Sequence, residues 1–231
     1  MRSGVRVIGL EALVRGIVVA ALAVAVLAFP GRDLHAAPPS VGAQIGVDLA
    51  RLSFANLPNG IEGGFRTGFV VAGRVAFPLL PYLSLETGLD VATQGTELDG
   101  SVQLGTTTLE DGRIRLTYLH LPLLARISAS AGPVRPYVKF GPKLGLLLAA
   151  KAEAHSTGSV GDFETDIKDS ASDFDVALQF AGGLEFPVAT FHGLFEVGYG
   201  LGLVDVFDDP ELPDSWSAKN QVVGITLGLL Y

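Results

Sequence analysis

The chain has 231 residues, 29 glycines, no cysteine and a formal net charge of −8, with a mean hydropathy of +0.43. Without a thiol there is no disulfide framework, no thiolate-held zinc or iron–sulfur centre, no cysteine nucleophile and no lipid-modified cysteine. The acidic balance argues against nucleic acid as a partner, yet it leaves a membrane protein open, because a lipid-facing surface need carry no charge.

Residues 1–36 read as an export leader. Arg2, Arg6 and Arg15 precede an apolar run from Gly16 to Phe29. That run is short for a spanning helix and suits a signal-peptide core. Pro30 and Gly31 break it, and Leu34-His35-Ala36 offers a small residue for cleavage after Ala36. Loss of Arg2, Arg6, Arg15, Arg32, Glu11 and Asp33 with the leader would take the charge from −8 to −10 and keep 25 of the 29 glycines. Residues 37–231 are then expected to form one domain. Its longest stretch without Asp, Glu, Lys or Arg is Asn220–Tyr231, too short to cross a bilayer as a helix. A crossing would have to use strands.

From there apolar residues alternate with small or charged ones in successive segments, the signature of strands with two unlike faces. Ala43, Ile45, Val47 and Leu49 oppose Gln44 and Asp48. Phe69, Val71, Val75 and Phe77 oppose Ala72, Arg74 and Ala76. Leu83, Leu85, Leu89 and Val91 oppose Glu86, Gly88 and Asp90. Arg113–Ile127 is ambiguous: Leu119, Leu121 and Leu123 share one parity, Tyr118, His120 and Arg126 the other. Pro122 lacks a donor, so a bulge or register change is expected there. Val138, Phe140, Leu144 and Leu146 oppose Tyr137, Lys139 and Lys143.

The segment Phe174–Phe186 alternates along its whole length, with Asp175 and Glu185 on its polar face. Ordinary strands have about 5–6 residues. This one, tilted by ~40°, would rise roughly 30 Å, the thickness of a bilayer core. Phe195, Val197, Tyr199, Leu201 and Leu203 oppose Glu196 and Gly198, Gly200 and Gly202. Val223, Ile225, Leu227, Leu229 and Tyr231 oppose Gly224 and Gly228. Glycine on that face would make room for larger side chains across a narrow lumen.

The connections alternate in length. Ser53–Thr67, Gly95–Asp111, Lys151–Ser172 and Phe207–Ala218 are long; Pro78–Tyr82, Ser128–Val134 and Pro187–His192 are short. An outer-membrane barrel has this arrangement, with short periplasmic turns and long outside loops. The expected fold is therefore all-β: an eight-stranded antiparallel up-and-down transmembrane barrel. Phe69, Phe77, Phe174, Phe186 and Tyr231 would be its interfacial aromatics. Trp216 in the last loop would be a further anchor.

The inward face would carry a charge network of Asp48, Arg74, Glu86, Asp90, Lys139, Lys143, Asp175, Glu185 and Glu196, with His120 as a further candidate. Charges confined in a narrow barrel must pair, so a salt-bridged plug is the first expectation and a narrow path for cations or small solutes the second. The long loops are acidic (Glu97, Asp99, Glu110 and Asp111; Asp162, Glu164, Asp166 and Asp169; Asp208, Asp209, Glu211 and Asp214). None has the order of an EF-hand. No G-x-S-x-G elbow occurs, and Gly198-Tyr199-Gly200-Leu201-Gly202 lacks the GK[ST] of a phosphate loop. The sequence thus calls for no catalytic residue, no metal and no cofactor, and for no enzyme.

Leu116-Thr117-Tyr118-Leu119-His120-Leu121-Pro122-Leu123-Leu124 is followed by Arg135-Pro136-Tyr137 and Phe140-Gly141-Pro142. Together with Asp173-Phe174-Asp175, Gly182-Gly183-Leu184-Glu185 and Tyr199-Gly200-Leu201-Gly202-Leu203, this order resembles the outer-membrane β-barrel ("porin family") domain. His120 stands where that family more often has Glu, and the terminal aromatic Tyr231 follows glycines in imperfect spacing for an assembly signal. The resemblance implies a small eight-stranded barrel in the outer membrane of a Gram-negative cell. Its partners would be outer-membrane lipid, lipopolysaccharide and the barrel-assembly machinery. A monomer with a structural or surface-interaction role is expected. A solute channel is the alternative, and a soluble periplasmic lipocalin-like binding barrel the remote one.

Overall fold

The computed structural model describes residues 38–55, 62–104, 107–129, 132–157, 163–206 and 217–231. The expected leader, residues 1–36, lies outside them, as does Trp216. No helix among the described residues is long and apolar enough to cross a membrane.

The strands are β1 (Ser40–Ala55), β2 (Glu62–Leu80), β3 (Leu83–Leu104), β4 (Thr107–Ser128), β5 (Arg135–Thr157), β6 (Phe163–Asp166), β7 (Phe174–Val188), β8 (Phe191–Gly202) and β9 (Ser217–Leu230). Each of the eight long strands pairs antiparallel with its neighbours, β5 passing directly to β7. β9 then returns to β1. The ring is a closed eight-stranded barrel; β6 is a short addition paired to β5.

Alternation decides which face is which. Val41, Ile45, Val47, Leu49, Phe69, Val71, Leu89, Val91, Phe180 and Leu227 all point outward and are exposed. Their even-numbered or odd-numbered counterparts Gln44, Asp48, Arg74, Glu86, Asp90, Lys139 and Glu196 are buried inside. An apolar exterior around a polar interior inverts a soluble protein and suits a lipid solvent. Closure leaves no strand edge in that solvent, which would strip unpaired backbone groups of water.

Three of the long connections are shorter than expected. Ser53–Thr67 loses both its ends, because β1 runs to Ala55 and β2 starts at Glu62. Gly95–Asp111 is mostly hairpin: β3 and β4 continue to Leu104 and from Thr107, with Ser101 paired to Glu110. β5 likewise runs on to Thr157. Above the membrane neither face must be apolar, so the period-two signal fades while the backbone ladder continues. At Pro122 no register change occurs. Leu121, Pro122 and Ala125 keep one register with Leu144, Lys143 and Phe140. The shift falls at Thr117/Tyr118, where β5 inserts Leu148. Pro122 accommodates its missing donor in place, and its carbonyl accepts a bond from Thr87 Oγ1 at 2.8 Å.

The short turns gather with both described chain ends at one mouth. Leu80 pairs with Leu83 around Pro81-Tyr82, and Val188 with Phe191 around Ala189-Thr190. Ala189 has φ +54°, the left-handed conformation that two-residue hairpins require and that glycine or asparagine normally supplies.

Candidate functional site

The interior is stacked in levels along the barrel axis. Nearest the short-turn mouth lies a buried ion network drawn from β2, β3, β4, β5, β7 and β8. Arg74 grips Asp90 with both terminal nitrogens, the Nη2–Oδ2 bond being 3.0 Å. Its Nε is 3.4 Å from Glu86. The ammonium of Lys139, with no exposed side-chain surface, bridges Glu86 at 2.6 Å and Glu196 at 2.7 Å. Arg126 reaches Glu185 at 2.5 Å and Glu86 at 3.7 Å, while its guanidinium lies 4.0 Å over the Tyr137 ring. Tyr137 donates its hydroxyl to Glu196 at 2.9 Å. At the rim Arg135 and His192 meet Glu185 at 3.3 and 3.0 Å. These groups floor a recess of about 320 Å³ that opens between Tyr82, Leu230 and Tyr231.

Six of the nine residues expected in the network are thus joined: Arg74, Glu86, Asp90, Lys139, Glu185 and Glu196. Asp48, Lys143 and Asp175 form no ion pair among the described residues. They sit at mid-height. Asp175 accepts from Asn220 Nδ2 at 2.9 Å, and the same amide lies 3.5 Å from the Tyr118 hydroxyl. His120 is buried there and stacks on Tyr118 with 5.4 Å between centroids. Asp48 lies across Gly224, where a Cβ would stand 2.6 Å from its Oδ1. Asp48, Lys143, Gln44 and Gln179 border a cavity of about 40 Å³. Glycine makes room in the lower level too: a Cβ on Gly183 would stand 2.5 Å from the Tyr137 hydroxyl.

The opposite mouth is filled differently. Leu52, Ile114, Leu116, Tyr118 and Leu147 pack into one apolar cluster with Ala171 and Val206. Ile167 packs against it. Ala171 and Val206 come from connecting segments that fold inward; Ser172 N–H donates to the Val206 carbonyl at 2.7 Å.

Phe69, Phe174, Phe186 and Tyr231 stand exposed on the outer wall and Phe77 half-exposed beside them. Phe77, Phe186 and Tyr231 lie toward the short-turn mouth, Phe69 and Phe174 toward the other. Phe191 joins the first group, 5.8 Å from Tyr231. The side chains of Asp99, Glu110, Asp111 and Asp162, and residues 208–214 with their acids, lie outside the described residues. Glu97 pairs with Arg113 at 3.5 Å, and Glu153 with Arg115 at 3.1 Å. Glu164 pairs with Lys151 at 2.7 Å. That hydrogen bond holds the exposed Glu164 carboxyl below its ordinary value and raises Lys151. Among the described residues no three His, Asp or Glu side chains come together as a metal site.

Sequence reasoning omitted Arg126, Arg135 and His192 from the network. Arg126 was findable, sharing the parity of Tyr118 and His120. The apolar cap was not, because Ile167, Ala171 and Val206 belong to no periodic segment.

Residues 38–208 match the family described as "Outer membrane protein beta-barrel domain". No curated protein sequence matches the chain. Among solved structures, the outer membrane protein OprG from Pseudomonas aeruginosa is 12% identical, covering 85% of this chain and 97% of its own, with a TM-score of 0.48. Neisserial surface protein A is 15% identical over 84% of this chain and 97% of its own, TM-score 0.41. The attachment invasion locus protein Ail of Yersinia pestis is 13% identical over 84% and 100%, TM-score 0.39.

Proposed function

The chain belongs to the outer-membrane β-barrel domain family, and from that premise we propose that it is a closed, non-conducting barrel acting as a structural or surface-interaction protein. Residues 1–36 would serve as its cleaved leader and residues 37–231 as the barrel. The observation that supports this reading is the filling of the lumen at two levels, a buried ion network below and an apolar cluster above. Eight strands leave an interior just wide enough for side chains to fill. Whatever the protein engages outside would meet the extended β3, β4 and β5, which outrun the ~9–11 residues a bilayer needs. Those strands have 22, 22 and 23 residues.

Planar-bilayer recording of the purified protein tests it. The expected result is a silent membrane; stable, ion-sized current steps would overturn the plug. A narrow cation path is the second reading, favoured by the polar cavity between the two filled levels, with Asp48 and Lys143 on its wall. Steps selective for cations and altered by Asp48→Asn would establish that reading instead.

A further inference from the structure

The recess at the short-turn mouth has two unlike walls. All eight long strands contribute to its lining, so the closed ladder, not a loop, sets its shape. On the arc β9–β1–β2 the lining is Leu230, Ser40, Ala76 and Pro78, with no charge. On the arc β4–β5–β7–β8 it is Arg126, Ser128, Arg135, Glu185 and His192. Tyr82 and Tyr231 stand exposed at the opening. The volume of about 320 Å³ lies at the small end of the ~300–1,000 Å³ typical of ligand sites. A space with one apolar and one charged wall suits a ligand divided in the same way.

The charged arc has donors to spare and no unpartnered carboxylate oxygen. Glu185 Oε2 accepts from Arg126 Nη2 at 2.5 Å. Its Oε1 accepts from Arg135 Nη1 at 3.3 Å and lies 3.0 Å from His192 Nδ1. Each guanidinium carries five N–H donors and donates one of them to Glu185. Arg126 is buried, and its Nε has no hydrogen-bond partner among the described residues. A buried charged donor left unpaired is costly and calls for an acceptor. The deeper acids do not supply one. Glu86, Asp90 and Glu196 are held by Arg74 and Lys139, and Glu86 stands 3.7 Å from Arg126, beyond hydrogen-bond reach. Two guanidiniums against one carboxylate leave this wall positive, and one further carboxylate would cancel the excess.

We propose that this recess is a binding site for a small organic monocarboxylate with an apolar body. Arg126 and Arg135 receive the carboxylate, whose planar shape matches the guanidinium fork. Leu230, Ala76 and Pro78 on the facing arc cover the body. Glu185 is the positioning residue that holds the two guanidiniums together. Short turns face the periplasm in barrels of this architecture, so the ligand arrives from that side. The inference goes beyond the closed-barrel reading and does not need it: a conducting barrel would keep the same two walls.

The test is isothermal titration calorimetry of the full barrel in lipid nanodiscs. The probe is 3-phenylpropionate, with 3-phenylpropanamide as its uncharged counterpart and 3-phenylpropylamine as its cationic one. The expected result is saturable binding of the carboxylate, with the amide and the amine at least roughly tenfold weaker. Arg135→Gln, at the half-exposed rim, should weaken the carboxylate roughly tenfold, as for loss of a charge-assisted bond, and leave the amide unchanged. Ser128→Phe keeps every charge and fills the recess, and should abolish binding. Heat-modifiable gel mobility checks folding; Arg135→Lys and Ser128→Leu, each with a partial loss, stand in for a variant that does not fold. No saturable binding of the carboxylate, or equal or tighter binding of the amide or the amine, would overturn the site. So would unchanged binding by a folded variant at either position.

Discussion

The two ends of the lumen are filled by opposite chemistry. Toward the short turns the filling is Arg74, Glu86, Asp90, Arg126, Lys139, Glu185 and Glu196, each buried and each held by at least one partner of opposite charge. Toward the long loops it is Leu52, Ile114, Leu116, Leu147 and Val206. An apolar cluster loses stability in proportion to the atoms removed. An ionic one fails by subtraction, because removing one member strands its partners in a medium that does not solvate them. Two filled levels therefore differ in their tolerance to change.

The largest break should come from Lys139→Met. It leaves Glu86 and Glu196 without their shared cation and should cost about 3–5 kcal/mol, measured by denaturant unfolding in lipid vesicles. A loss under about 1 kcal/mol would mean that water or a proton readily replaces the lysine, and the contrast would collapse. Leu116→Ala in the apolar level should cost about 2–3 kcal/mol, the lower part of the range for a buried leucine. Combined with Lys139→Met, its cost should add to within ~0.5 kcal/mol if the two levels are independent.

Gly183→Val comes next, at about 2 kcal/mol for an overpacked site, because the new side chain would occupy the space of the Tyr137 ring. Tyr137→Phe removes one hydrogen bond from Glu196 and keeps the ring under Arg126. A loss of about 1.5 kcal/mol is expected, clearly below that of Lys139→Met in the same assay.

The smallest effect belongs to the exposed pair outside the membrane. Glu164 should titrate below 4.5 by NMR, and Lys151→Met should return it to that ordinary value. The sign follows: a carboxyl lowered in the folded state favours folding above its ordinary value, and that contribution fades as pH falls through the lowered one. Added salt should erase most of it. A Glu164 midpoint indifferent to Lys151 would remove the pair from the surface.

How far this was readable from residues alone follows the same divide. Wherever lipid lies on one side, parity is enforced, and Phe174–Phe186 or Val223–Tyr231 announces its two faces. Beyond lipid the rule lapses, and so the β3–β4 hairpin around Ser101 and Glu110 reads as a loop. Pairing across the lumen was harder. Lys139 on β5 meets Glu86 on β3 and Glu196 on β8, neither on an adjacent strand, and which charges meet depends on the stagger of the ring. Asp48, Lys143 and Asp175 carry the same local signal as Lys139 and end up at another height.

The short strand β6 bears on whether copies of the barrel could pair edge to edge. β7 pairs with β5 only as far as Leu146, and β6 takes up the ladder at Lys151. Without it, the upper part of β5 would present bare backbone donors and acceptors to any neighbour in a crowded membrane. β6 covers that edge with four residues, and a second copy would find there a strand too short to extend and bearing Glu164 and Asp166. Short length and like charge are the means by which sheets discourage fusion. Replacing Glu164 and Asp166 with threonine would convert the same strand into an invitation to edge-to-edge assembly.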